Sequence, residues 1–230
     1  VIDRMPKMAM LAPGDAPGSV RFEHELFIDL FLSRRFASYM ARSGAILRSM
    51  MSRAAMPDSL ADAIAARLEV GTTVADADRS LSEAMSGSSS RAEIVRENAG
   101  RLMGSVLRNL AGATGQKFSS YVFPGVRFGA VKFESCEFSG VVFRRCDLAS
   151  TEFSSCHFGG VLVESAQVSS ITKLGIICDN PATTFVGLRL TGEEGRVRTI
   201  FDPTELRTAL SRLGLGGLED GGLPRRNVSE

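Results

Sequence analysis

From Gln116 onward, the large apolar residues of this 230-residue chain recur every five positions. Phe118, Phe123, Phe128, Phe133, Phe138, Phe143, Leu148, Phe153, Phe158, Val163 and Val168 follow one another without a break. Two residues before each stands a second column: Gln116, Tyr121, Val126, Val131, Cys136, Val141, Cys146, Thr151, Cys156, Val161 and Ala166. The first column is large and the second mostly small or β-branched, while Ser, Gly, Glu, Arg and Asp fill the positions between. A period of five matches neither the 3.6-residue stripe of a helix nor the two-residue alternation of a strand. It predicts a repeat architecture whose units need their neighbours to bury their apolar positions.

Upstream of the repeat the spacing is helical. Phe22, Leu26, Phe27, Leu30, Phe31 and Tyr39 recur at three- and four-residue steps and predict one buried helical face. Pro57-Asp58-Ser59 opens a second helix through Leu60, Ile64 and Leu68 to a stop near Gly71. Asp76 or Asp78 starts a third, through Leu81 and Met85. Gly87 to Ser90 reads as a loop. Ser90, with Glu93 as capping-box partner, opens a last helix through Ile94, Leu102, Val106 and Leu110 that runs into the repeat as a lid. After Val168 the five-residue register fails. Gly187–Leu190 and Arg196–Ile200 flank Gly192-Glu193-Glu194-Gly195 as a predicted hairpin. Asp202-Pro203-Thr204-Glu205 then opens a helix carrying Leu206, Leu210 and Leu213, stopped at Gly214.

The repeat resembles the pentapeptide-repeat family. The resemblance implies that each unit forms one side of a square, right-handed coil, with both columns pointing inward and coils stacked about 4.8 Å apart. At four units per coil, eleven units make under three coils. The expected fold class is α+β: an N-terminal helical region, a short right-handed quadrilateral pentapeptide-repeat β-helix, and a small strand-strand-helix cap. The expected divisions are a linker over 1–15, the helical region over 16–111, the β-helix over 112–170, the cap over 171–215 and a flexible tail over 216–230.

Composition narrows the function. Lys and Arg total 27 against 26 Asp and Glu, and the repeat region alone carries 5 against 5. No segment is basic enough to suggest nucleic-acid binding, and none is acidic enough to imitate a DNA backbone. Cys136, Cys146, Cys156 and Cys178 form no CxxC pair, so no zinc site is expected and no metal ligands are assigned. Cys136, Cys146 and Cys156 occupy the small inward column and read as buried fillers. A reduced, cytoplasmic protein is the expected setting. No apolar run is long enough to span a bilayer, and no signal segment opens the chain. The start at Val1 is expected to be a truncation of something longer.

Phe22-Glu23-His24-Glu25-Leu26-Phe27, followed by Leu30, Phe31 and Leu32, resembles the motif that ends the nucleotide-binding module of NACHT-type signalling ATPases, the STAND class. That resemblance implies a phosphate contact for His24 with ADP in the full-length protein, with Asp29 at the acidic position and Phe22, Phe27 and Phe31 as packing residues. Leu30 and Ser33-Arg34 depart from the motif. No phosphate loop of the GxxxxGK[ST] form is present, so this chain is expected to hold no cofactor, ADP or ATP belonging to the parent protein. Ser, His and Asp or Glu occur without a nucleophile motif joining them, so no catalytic residues are assigned. The expected role is a C-terminal sensor or scaffold of a bacterial NACHT-like STAND NTPase, in a setting such as antiviral defence. Its expected partners are a protein or a neighbouring subunit, with oligomer formation open. The outward charges Glu134, Glu137, Arg144, Arg145, Asp147 and Glu152 are the candidate contacts. The alternative is a free-standing pentapeptide-repeat protein, acting as a spacer or as a DNA-mimicking gyrase partner.

Overall fold

The computed structural model describes residues 11–13, 20–22, 25–40, 44–87, 90–178, 183–192 and 196–215. His24, Glu193–Gly195 and the tail from 216 lie outside them. The chain opens on β1 (Leu11–Pro13), paired antiparallel with β2 (Val20–Phe22). Five helices follow: α1 (Glu25–Met40), α2 (Gly44–Met51), α3 (Asp58–Ala65), α4 (Val74–Met85) and α5 (Ala92–Asn109).

The helical layer departs from the periodicity in four places. The described inward face of α1 carries Ser33, Phe36 and Met40, while Leu30 and Phe31 are 36% and 48% exposed. Phe36 and Met40 therefore set the phase of the helix. Helix α2 has no counterpart in the expected elements; it is eight residues long and buries Leu47 and Met51. Helix α4 is opened by Thr73. Its extended backbone lets the hydroxyl accept from the Asp76 N–H, while Asp76 accepts from the Thr73 N–H. Helix α5 begins after Arg91, and Ser90 does not cap it. A buried amide, Asn98 on α5, binds the turn between α2 and α3: its Oδ1 accepts from Met56 N–H at 2.7 Å, and its Nδ2 donates to the Met51 and Ala54 carbonyls. With every polar atom partnered, this buried side chain fixes the turn without a desolvation penalty.

The repeat forms a parallel β-solenoid of four coils. Its strands are β3 (Gly112–Thr114), β4 (Lys117–Ser119), β5 (Val122–Pro124), β6 (Lys132–Glu134), β7 (Glu137–Ser139), β8 (Val142–Arg144), β9 (Glu152–Gly159), β10 (Leu162–Ser169), β11 (Lys173–Cys178) and β12 (Thr184–Thr191). The register repeats every 20 residues, hence four sides of five. Side one stacks Gly112, Lys132 and Glu152; side two stacks Lys117, Glu137 and His157. Side three stacks Val122, Val142 and Leu162; side four stacks Arg127, Asp147 and Gln167.

The expected count of under three coils is too low. The coil continues after Val168, because Lys173 pairs with Glu152 and Thr184 with Leu162, both parallel. The five-residue register is lost there because the fourth coil carries extra residues and a shift between Leu174 and Ile176. Leu174, Ile176, Phe185 and Leu188 still point inward. The coil also begins one unit before Gln116, with Ala113 in the large column.

Inside, the phenylalanines stack along the axis. Phe118 lies 5.1 Å from Phe138, which lies 5.0 Å from Phe158; Phe123 lies 5.2 Å from Phe143 and Phe133 4.9 Å from Phe153. Such offset and edge contacts add about 0.5–1.5 kcal/mol per pair beyond the area buried. Strand β12 also forms the expected hairpin with β13 (Val197–Ile200), antiparallel. Helix α6 (Pro203–Arg212) follows, with Asp202 accepting from the Thr204 and Glu205 N–H groups and Pro203 at its first position. It closes the last coil: Leu206 and Leu210 are buried, and Leu174 N–H donates to the Leu213 carbonyl at 2.6 Å.

The opposite end is closed by α5. A Cβ on Gly100 would lie 1.9 Å from the Val122 carbonyl oxygen, and one on Gly104 would lie 2.4 Å from Val126 Cγ1. The two glycines let the helix backbone rest directly on the first coil. Tyr121 donates from its hydroxyl to Asp78 Oδ1 at 2.8 Å, joining α4 to the same coil.

Candidate functional site

A solenoid offers flat sides and corners, so its outward charges are the first candidates for function. The structure distributes the six candidate contacts around the rod. Glu134 and Glu152 lie on side one, Glu137 on side two, Arg144 on side three and Asp147 on side four, with Arg145 at the corner between sides three and four. They do not form one patch.

Five of the six serve the fold. Glu137 pairs with Lys117 at 2.8 Å in the coil above. Glu152 lies between Lys173 at 3.2 Å and Lys132 at 4.0 Å, and the hydrogen bond from Lys173 holds its carboxyl below the usual value. Arg144 reaches Glu97 on α5 at 3.1 Å, Glu164 in the next coil at 3.3 Å and Glu93 at 3.8 Å. Asp147 accepts from the Ala149 N–H at 3.0 Å, which ties a turn of its own coil. Glu134 accepts from the Thr114 hydroxyl at 3.4 Å. Exposed pairs of this kind contribute little net stability, so they align coils more than they stabilise them.

Arg145 is different. Its φ is +53°, in the left-handed region, which most corners of the first three coils share. The equivalent corners elsewhere hold Ser120, Ser135, Ser155 and Ser165, or Gly115, Gly125, Gly140 and Gly160. These are residues that enter that conformation at lower cost or can brace it with a short polar side chain. Arg145 is exposed, and among the described residues its guanidinium has no ion-pair partner. A cation on a strained corner, flanked along the rod by Gly125 and Ser165, is the one outward charge of the six that the fold does not use.

The cysteines are buried fillers. Cys136, Cys146 and Cys156 are fully covered, and their thiols donate to the carbonyls of Ala113, Phe123 and Phe133, each 23 residues earlier. Burial pushes the Cys146 thiol up to about 12. Cys136 and Cys156 are neighbours along side two. The hydrogen bond to Cys136, then burial, raises Cys156, and any thiolate of the pair would form at Cys136, which the Cys156 S–H favours. Neither sulfur meets solvent. In the native protein a thiol reagent should therefore label Cys178, which is only partly buried, well before the other three. Complete labelling should require unfolding, and mass spectrometry of the labelled peptides reads the order directly. Early labelling of Cys136 would contradict this packing.

Two hollows lie in or beside the helical layer. One, about 520 Å³, is lined by Glu69, Thr72, Asp76, Arg79, Ser80 and Glu83 among others. Three of its polar groups are already engaged: Asp76 in the α4 capping box, Arg79 with Asp76, and Ser80 with the Met40 and Asp76 carbonyls. The second, about 440 Å³, lies between the start of α4 and the first coil. Among the described residues no group of three or more His, Cys, Asp or Glu is placed to hold a metal ion. No described helix is long and apolar enough to cross a membrane.

Comparison with protein-family models, curated proteins and solved structures finds no match for this chain. Sequence reasoning missed the Asp78–Tyr121 bridge, where burial raises the Asp78 carboxyl against the Tyr121 hydrogen bond, and burial raises the Tyr121 hydroxyl well above its usual value. Tyr121 carried a visible signal, as the only ring in a column otherwise filled by smaller residues. His24 lies outside the described residues.

Proposed function

We propose that this chain is the sensor or scaffold region of a bacterial, cytoplasmic, NACHT-like STAND NTPase. In this reading a pentapeptide-repeat solenoid binds a protein partner, a trigger or a neighbouring subunit, in a setting such as antiviral defence. The pentapeptide assignment is supported by the 20-residue coil of four five-residue sides. The STAND assignment rests on the Phe22–Leu32 motif and on the order of helices followed by repeat. The close seat of α5 on the first coil fits an arm that would carry a displacement of the solenoid into the helical layer.

The observation that carries the binding role is Arg145, a solvated cation kept on a left-handed corner. Strain retained at an exposed charge points to use by something outside the chain. An acidic group on the partner would meet it. Arg145→Gly should leave stability unchanged or raise it by up to about 1 kcal/mol, because relief of the corner outweighs the extra freedom of the unfolded chain. Arg145→Glu in the full-length protein should weaken recovery of the bound partner by about tenfold or more, the scale of an interfacial hot spot. Quantitative co-purification from the native cells, with folding checked by circular dichroism, measures it. Undiminished recovery with Arg145→Glu would favour the second reading, a passive spacer, to which the mutually neutralised Lys117–Glu137 and Lys132–Glu152–Lys173 ladders also lend support.

The nucleotide role given to His24 has its own test. In the full-length ATPase, His24→Ala should release ADP faster than the parent, read as the ADP content of the purified protein. Equal ADP retention would remove His24 from the nucleotide site.

A further inference from the structure

The coil-to-coil ladder ends differently at its two ends. At the last coil, α6 returns its own main chain to the strand edge, with the Leu174 N–H donating to the Leu213 carbonyl. At the first coil, α5 covers side three and the start of side four through Gly100 and Gly104. Sides one and two are left without a covering strand among the described residues: β3 pairs only with β6, and β4 only with β7.

In a parallel strand the N–H and C=O of one residue point to the same side, and successive residues alternate. On side one, the Ala111 carbonyl accepts from Lys132 N–H and the Gly115 N–H donates to Glu134, so these face the second coil. On side two, the Gln116 carbonyl and the Ser120 N–H do the same with Glu137 and Ser139. The alternate residues, Gly112 and Thr114, then Lys117 and Ser119, direct their main-chain groups away from the second coil, where the Thr114 carbonyl meets only a long hydrogen bond of 3.4 Å from Gln116 Nε2 that an added strand would replace. Thr114, Lys117 and Ser119 are exposed. Beside Gly112–Thr114 lies the 440 Å³ groove, lined by Val74 and by Leu110, which is 42% exposed, and reaching Lys132 and Glu134 of the second coil.

We propose that this edge takes an extended segment of a partner protein as an added parallel strand. The occupant is committed by the chemistry of the edge. Outward N–H and C=O groups at two-residue spacing are matched by an extended main chain and by neither a helix nor a globular surface. The added strand continues the same ladder that the second coil already makes on the opposite edge of β3. Its alternate side chains face Leu110 and Val74, so an apolar residue is favoured there, and proline is excluded wherever an N–H must reach the edge. The inference rests on reading the chain as a protein-binding module, and it places a second contact apart from Arg145.

The probe is a peptide with blocked ends copying Ala130–Ser135, the segment that pairs with β3 from the other side. It is added to the full chain and followed by amide hydrogen exchange. The Gly112 and Thr114 amides should slow by about tenfold or more at saturation, with Ala113 little changed. N-methylation of the peptide at the alternate amides that face the edge should abolish this protection, and methylation at the intervening ones should not. Leu110→Glu should weaken binding by about tenfold. Arg145→Glu, on another corner, should leave it unchanged, so failure of the edge and failure of the Arg145 contact are told apart. The proposal is overturned if no protection appears up to about 1 mM peptide, a concentration at which even millimolar affinity half-fills the edge. It is also overturned if protection survives methylation of the edge-facing amides, or if the edge is already protected by a second copy of the chain in a concentration-dependent dimer.

Discussion

Phe138→Ala should lower the unfolding free energy by about 3–5 kcal/mol, the range for deleting a buried aromatic ring. Phe138 sits between Phe118 and Phe158 along the rod, and its ring also meets Phe133 at 5.3 Å, Phe143 at 5.8 Å and Phe153 at 5.9 Å. The upper half of that range is expected because the cavity cannot collapse. The coils above and below are held at strand spacing by the main-chain ladder, Glu137 N–H to Gln116 and His157 N–H to Cys136 among its bonds. Surrounding side chains can relax only along the axis. Urea unfolding followed by two probes gives the number and tests two-state behaviour. Phe201→Ala is the control, since Phe201 is 61% exposed, and should cost under about 1 kcal/mol. A loss at Phe138 as small as the control would mean that the stack does not hold the coil together.

The second large effect is at Gly100. Alanine is favoured over glycine in a helix interior by about 1 kcal/mol, so Gly100→Ala would stabilise α5 if the helix had room. It has none. The new Cβ would fall 1.9 Å from a main-chain carbonyl oxygen of Val122, which cannot rotate aside. The helix must lift from the first coil, and a net loss of about 1–3 kcal/mol is expected, as for other overpacked contacts. Gly104→Ala meets a side chain, Val126, and should cost less. Amide exchange should rise in coil one as well as in α5, because the helix rests on Val122 and Val126 of that coil. A stabilised Gly100→Ala variant would show that helix and solenoid are not in close contact, and the arm-to-rod coupling would fall with it.

Much of this architecture is legible in the sequence, for a physical reason. A five-residue unit with one large and one small inward position has no other periodic use, so Phe118 to Val168 announce the coil. Asp202-Pro203-Thr204-Glu205 announces α6 in the same way, since cap, first position and first-turn carboxylate all agree. The fourth coil was hidden because its offset from the third changes along the coil, 21 residues at Lys173, 20 at Ile176 and 22 at Thr184, although Thr172 still takes an inward place by donating its hydroxyl to the Leu148 carbonyl. The phase of α1 was hidden too. Phe31 and Phe36 are both aromatic, and only tertiary packing decides which is buried. Of the six outward charges, sequence could place each at the surface but not say which were already partnered. That depends on what lies 20 residues away in the stack: Glu137 finds Lys117 above it, whereas Arg145 finds Gly125 and Ser165 beside it.

The scaffold reading is tested most directly by photo-cross-linking from position 145 of the full-length protein in its native cells. A photoreactive amino acid replaces Arg145 in one strain and Ser139, on side two, in another. Because the photoreactive residue removes the guanidinium, a third strain keeps Arg145 and carries the probe at Ser165, its neighbour along the same corner. A partner seated at Arg145 gives a discrete adduct from 165, a weaker one from 145 and none from 139. No adduct from either corner position, or equal adducts from all three, would contradict a partner seated at Arg145.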